Sequence, residues 1–156
     1  MNLNQITNKE QIELKKVYFD SIQSIDEKIY SKEQKSAWSS QVWKNNDFDK
    51  CLKEGKGWFF SDNEQTIAFA IRYPDNHISL LYCRGNSQRR GLGTLLINQL
   101  ESEALKEGIS KITTDASLIS YGLFLKQKWK ILEKEKILIN HVSFERYKMI
   151  KYIKKI

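Results

Sequence analysis

Apolar positions along the 156 residues change period several times, and each change marks a new element. After a short strand pattern over 3–6, Thr7 and Glu10 fit a capping box. Ile12, Val17, Phe19 and Ile22 then recur at roughly helical spacing and predict a helix to about residue 25. Ser31 with Gln34 repeats the box, and Ala37, Trp38 and Val42 share one side of a second helix ending near residue 43. One or two helical turns follow over 47–54, with Gly55 and Gly57 as breakers.

From Gly57 the period drops to that of strands. GWFFS and TIAFAIR, joined by the polar DNEQ, read as a hairpin; residues 73–76 form a turn around Pro74, and HISLLYC at 77–83 is a third strand. These three strands predict an antiparallel meander. Helical spacing returns over 92–105, with Leu95, Leu96, Leu100 and Leu105 as the apolar set and Gly108 as the stop. Residues 111–114 predict a strand, and Asp115 or Ser117 caps a helix to about residue 126. Strands follow over 129–139 and from Val142, turned by Asn140 and His141. The order predicts an α/β (α+β) fold, one domain over 1–156 with a mixed, mostly antiparallel central sheet flanked by helices.

Composition narrows the function classes. No apolar run is long enough to span a bilayer, so no membrane association is expected. The start, MNLNQITNKE, lacks the basic and apolar regions of a secretory signal. Cys51 and Cys83 with His77 and His141 show no metal-ligand spacing, so no metal is expected and the setting is a reducing cytoplasm. The formal charge of +7 invites a polyanion, but lysines scattered among Ile and Asn argue against a nucleic-acid partner.

The informative segment is SQRRGLGTLL at 87–96, where an apolar strand gives way to a helix through two glycines. A helix start leaves amides unpaired and favours negative charge, so a glycine turn there holds a phosphate with backbone donors. Leu96 occupies the third glycine position of a dinucleotide-binding GxGxxG pattern, and no Walker Lys-Ser or Lys-Thr follows, so both nucleotide readings fall.

Gln88, Arg89, Arg90, Gly91, Leu92 and Gly93, preceded by that strand, resemble the Q/R-x-x-G-x-G/A segment of the GCN5-related N-acetyltransferases, which use acetyl-coenzyme A. The likeness extends to YSKEQKSAW at 30–38, TDASLISYGLFLKQKW at 114–129 and RYKMIK at 146–151. The resemblance implies a pantetheine arm lying along the main chain of Leu81, Tyr82 and Cys83. It also implies a pyrophosphate on the amides of Arg89, Arg90, Gly91, Leu92, Gly93 and Thr94, with further coenzyme contacts from Gln88, Ser117, Arg84 or Arg90. An arm of this kind pairs with an exposed strand edge, as an added strand would.

The family's usual tyrosine acid corresponds to Phe124, which has no proton to give; Tyr121, one helical turn earlier, is the alternative donor. Lys128 replaces the usual glycine and Gly85 the usual proline. His77 is the candidate base, with Glu33 or Glu64 acting through water as alternatives, and Trp38, Trp43 and Trp58 are candidates for an acceptor pocket. The expectation is an acetyl-coenzyme A-dependent N-acetyltransferase acting on a primary amine of a small molecule or protein. Its rivals are a coenzyme-binding module without turnover and a transferase acting on charged transfer RNA. Oligomeric state is left open, a homodimer included.

Overall fold

The computed structural model describes residues 1–44, 46–88 and 90–154. A seven-stranded sheet runs in the order β1-β2-β3-β4-β5-β7-β6. Its strands are β1 (Asn2–Gln5), β2 (Lys56–Asp62), β3 (Gln65–Arg72), β4 (His77–Cys83), β5 (Lys111–Ala116), β6 (Lys130–Ile139) and β7 (Val142–Tyr152). All neighbouring pairs are antiparallel except β4 with β5. The helices are α1 (Gln11–Gln23), α2 (Lys32–Ser39), α3 (Gln41–Lys44), α4 (Asn46–Glu54), α5 (Leu92–Lys106) and α6 (Tyr121–Lys126). Among the described residues no helix is long and apolar enough to cross a membrane, and no group of three metal-ligating side chains occurs.

The central strand explains the layers. Every residue of TIAFAIR is buried, as expected of a strand covered on both faces. Ala68 and Ala70 face a core formed with Leu92, Leu96, Ile97 and Leu100 of α5. Phe69 and Ile71 face another, with Leu14, Val17 and Ile22 of α1 and Phe48 and Leu52 of α4. Small residues under α5 let that helix approach the sheet; large ones fill the opposite side. A third, smaller cluster joins Tyr30, Ala37 and Phe144.

Both capping boxes form. Thr7 and Glu10 close the 3-10 turn that enters α1, and Ser31 and Gln34 close the start of α2. The apolar sets differ from the predicted ones in detail. Leu95 and Leu105 are about half exposed, and Ile12 and Phe19 on α1 are exposed as well, because burial follows the faces containing Leu92, Ile97 and Ala104 and containing Leu14 and Tyr18. Gly57 lies inside β2 rather than ending a helix, where a Cβ would sit 2.5 Å from the Ala70 carbonyl oxygen. Asp115 belongs to β5, and α6 starts later than expected, at Tyr121. Lys128, φ 69°, takes the left-handed conformation that ends α6, and Asn140 and His141 take it in the β6–β7 turn.

Candidate active site

The glycine segment enters α5 as the helix-start argument requires. Gly91 is the N-cap at φ 76°, a conformation that costs a residue with a Cβ roughly 1–2 kcal/mol, and as a glycine it brings no side chain to cap the first-turn amides. Those donors and the positive end of a 15-residue helix face outward together. At Gly93 a Cβ would stand 2.6 Å from Leu123 Cδ2, so the absence of a side chain brings α5 and α6 together.

Beside this loop the sheet opens. β4 and β5 pair only at His77 with Thr113 and Ile78 with Thr114, after which β4 runs on to Cys83 without β5 beside it. The Arg84 amide donates to the Ile67 carbonyl on β3, at 2.8 Å. By strand alternation Tyr82 also addresses β3, whereas the amides and carbonyls of Leu81 and Cys83 address the gap. The Gln88 side chain reaches across to the Cys83 carbonyl at 3.4 Å. On the opposite wall, the Ser117 hydroxyl accepts from the amides of Ile119 and Ser120 and holds the turn into α6, the capping job one turn ahead of the helix itself.

Two clefts meet at this opening. One, of about 500 Å³, is lined by Leu81, Tyr82, Cys83, Gln88, Ser117 and the segment Gly91, Leu92, Gly93, Thr94. The other, of about 580 Å³, runs to the far side of β4 past His77, Asp115 and Arg146 and is walled by Tyr18, Tyr30, Phe48 and Phe144. Trp38, Leu81, Tyr82, Ser117 and Ser120 belong to both, so a molecule in each cleft would touch the other there.

The second cleft has an aromatic wall and a polar floor. Tyr18 packs edge-on against Tyr82 at 4.7 Å between centroids, Tyr30 against Trp38 at 5.2 Å, and Trp38 against Phe144 at 6.3 Å. Burial pushes the Tyr18 and Tyr82 phenols well above the usual range, so both stay protonated at neutral pH. His77 Nδ1 lies 2.8 Å from Thr113 Oγ1, and its Nε2 lies 3.6 Å from an Asp115 carboxylate oxygen. Burial lowers its pKa below the ordinary value, with Asp115 opposing and the Arg146 guanidinium adding to the shift. The ring is therefore neutral at pH 7 and able to accept a proton. In the first cleft, burial raises the Cys83 thiol to about 11, so it is no nucleophile at neutral pH.

Nine residues expected at a coenzyme site thus line one cleft: Leu81, Tyr82, Cys83, Gln88, Gly91, Leu92, Gly93, Thr94 and Ser117. Arg89 lies outside the described residues. The Arg90 side chain turns to Asp62, at 3.4 Å, and Arg84 Nε donates to the Thr66 carbonyl; neither lines the cleft. Of the tryptophans, Trp38 lines the clefts, Trp43 is exposed and Trp58 packs against the α5 core. Glu33 and Glu64 are exposed, the latter in the β2–β3 turn.

Tyr121 lines neither cleft. Its ring stacks on Tyr147 at 4.5 Å, because α6 turns Phe124 toward the cleft and Tyr121 toward β7. The sequence did not single out Tyr30, nor Asp115 as the neighbour of His77, nor the Tyr82 ring as part of an aromatic wall. Tyr30 carried one signal: it immediately precedes the α2 capping box, the position whose side chain anchors the incoming chain.

A family model described as an acetyltransferase (GNAT) domain matches residues 26–151. A protein from Rhodopseudomonas palustris described as a GCN5-related N-acetyltransferase and class II aminotransferase superposes with a TM-score of 0.90. It is 24% identical, with 97% of this chain and 94% of that one covered. PaiA N-acetyltransferase from Thermoplasma acidophilum, solved with coenzyme A, gives 0.74 at 14% identity over 97% and 99%. Ribosomal-protein-alanine N-acetyltransferase from Brucella melitensis gives 0.66 at 16% over 97% and 99%. A search of curated proteins found no match. At these identities the structural likenesses establish the fold.

Proposed function

From the premise that the chain belongs to the GNAT acetyltransferase family, we propose that it transfers the acetyl group of acetyl-coenzyme A to a primary amine of a small molecule or protein. The observation that carries this reading is the meeting of the two clefts at Leu81, Tyr82 and Ser117, one cleft offering main-chain donors and the other an aromatic wall.

The residues fit the coenzyme. The helix-start amides of Gly91 to Thr94, which line the first cleft, suit a pyrophosphate, and Gly91 leaves open space where a Cβ would stand. The gap-facing groups of Leu81 and Cys83 suit the amides of a pantetheine arm. When bound, the coenzyme supplies an activated acyl group. The Leu81 amide, at the shared wall, polarises the acyl oxygen as a fixed donor.

His77 receives the proton of the attacking amine. It stands four positions from Leu81 along β4, about 13 Å at the rise of a strand and farther than a single bridging water reaches, so the proton must pass along a chain of waters in the cleft. Apolar walls at Tyr18, Trp38, Phe48 and Phe144 hold the body that carries the amine. Two free thiols, Cys51 and Cys83, fit a reducing cytoplasm.

A binding module without turnover is the second reading, favoured by Phe124 in the cleft and Tyr121 turned away from it. Thiol release from acetyl-coenzyme A across a panel of primary amines separates the two. Release above background supports transfer. Background release together with a coenzyme-induced rise in melting temperature supports the module.

A further inference from the structure

Asp20 sits badly for the helix that carries it. A carboxylate in the last turn of α1 faces the negative end of the helix dipole, aspartate is a poor helix former, and no basic residue in that turn offsets the charge. A local conflict of this kind is expected where a residue serves something beyond its own element.

The carboxylate reaches out of α1 to the turn that leads from β4 toward the glycine segment. Asp20 Oδ2 accepts the Gly85 amide at 3.2 Å, across 65 positions of sequence. Beside it the end of α1 lies flush on the same glycine. A Cβ at position 85 would collide with Ser24 Oγ, and that hydroxyl donates back to the Asp20 carbonyl at 2.7 Å. On its other side the turn is tied to β3, where the Arg84 amide and Nε donate to the carbonyls of Ile67 and Thr66.

The end of α1 is also a wall of the coenzyme cleft. Ser21, Ile22 and Ile25 line that cleft together with Gly91 to Thr94. Buried Lys35 fixes this wall from α2, its Nζ donating to the carbonyls of Gln23 at 3.0 Å and Ile25 at 2.8 Å. One helix end thus supplies an apolar wall and, through Asp20, a hold on the loop that brings the main-chain donors.

We propose that Asp20 is a positioning residue for the coenzyme: its carboxylate holds the Gly85 amide so that the glycine segment is aimed against the wall of Ile22 and Ile25 before the coenzyme arrives. The proposal rests on the reading of this cleft as a coenzyme site. Asp20 itself lines neither cleft and acts through the loop. A loop set in advance binds its anion without first losing conformational freedom.

Coenzyme A titrated into the protein in a calorimeter reads the effect, and exchange of the Gly85 amide proton, followed by nuclear magnetic resonance, reads the bond. Asp20→Ala is expected to weaken coenzyme binding about tenfold and to speed Gly85 exchange by at least about tenfold. Alanine is the better helix former, so the melting temperature of the free protein should not fall, which separates aim from stability. Asp20→Asn keeps an oxygen that accepts the amide and is expected to restore both readings to within about threefold of wild type. Asp20→Glu, with the same charge on a longer stem, replaces Asp20→Ala if that variant fails to fold and should show the same loss. Wild-type coenzyme affinity in Asp20→Ala, or Asp20→Asn as weak as Asp20→Ala, overturns the proposal while leaving acetyl transfer standing. Absence of coenzyme binding by the wild-type protein overturns both.

Discussion

The two clefts are built from different material. The coenzyme side is main chain and glycine: the amides that open α5, the left-handed Gly91, and the edge of β4 left bare where β5 turns away. The acceptor side is side chains from five segments far apart in sequence, with Tyr18 from α1, Tyr30 from a loop, Trp38 from α2, His77 from β4 and Phe144 from β7. Backbone recognition tolerates most side chains but not a change in conformation. Side-chain recognition tolerates neither loss of volume nor loss of a titrating group, yet leaves the backbone ordinary. Substitutions on the two sides should therefore fail in different ways.

The largest effect is expected on the coenzyme side. Gly91→Glu adds left-handed strain and a negative charge where an anion binds, and calorimetry should find coenzyme affinity reduced at least about 100-fold. Leu81→Pro comes next. The Leu81 amide does not address β3, so the substitution removes a gap-facing donor without costing a sheet hydrogen bond. Turnover should fall about 100-fold while the protein still melts cooperatively.

On the acceptor side, Phe144→Leu thins the wall beside Tyr30 and Trp38. The acceptor KM should rise about tenfold with coenzyme affinity unchanged in calorimetry. A matching loss of coenzyme affinity would merge the two sides into one.

The smallest effect concerns pH. Because the folded pKa of His77 is lowered, wild-type activity should hold at neutral pH and decline only below about pH 6.5, where the ring takes a proton. His77→Gln should be slower at pH 7 and show no such decline. Stability carries the same sign. Below about pH 6.5 the unfolded chain binds a proton that the native ring resists, so the wild-type melting temperature should drop with falling pH more than that of His77→Gln.

This difference in material also decides what could be read in advance. Capping boxes at Thr7 and Ser31, the turn at Asn140 and His141, and the glycine entry to α5 are local: each names its conformation within four residues. The parting of β4 from β5 is not local, since it depends on where the 111–116 strand ends relative to β4, a separate segment far earlier in the chain. The start of α6 was misplaced for a related reason. Ser117 caps a turn that precedes the helix, so Tyr121 falls at its first position and points at Tyr147. Tyr30 reads locally as the anchor of α2; its contact with Leu118 spans 88 residues, and no periodicity carries that distance. Lys128 shows the converse, a left-handed position legible only where a glycine is expected.

The account stands on the segment from Gln88 to Thr94 and the bare edge of β4 forming one coenzyme site. Titration of the folded protein with coenzyme A in a calorimeter tests this most directly. Saturable binding of one coenzyme per chain, lost in Gly91→Glu, is the predicted result; no heat of binding and no rise in melting temperature at saturating coenzyme would contradict it.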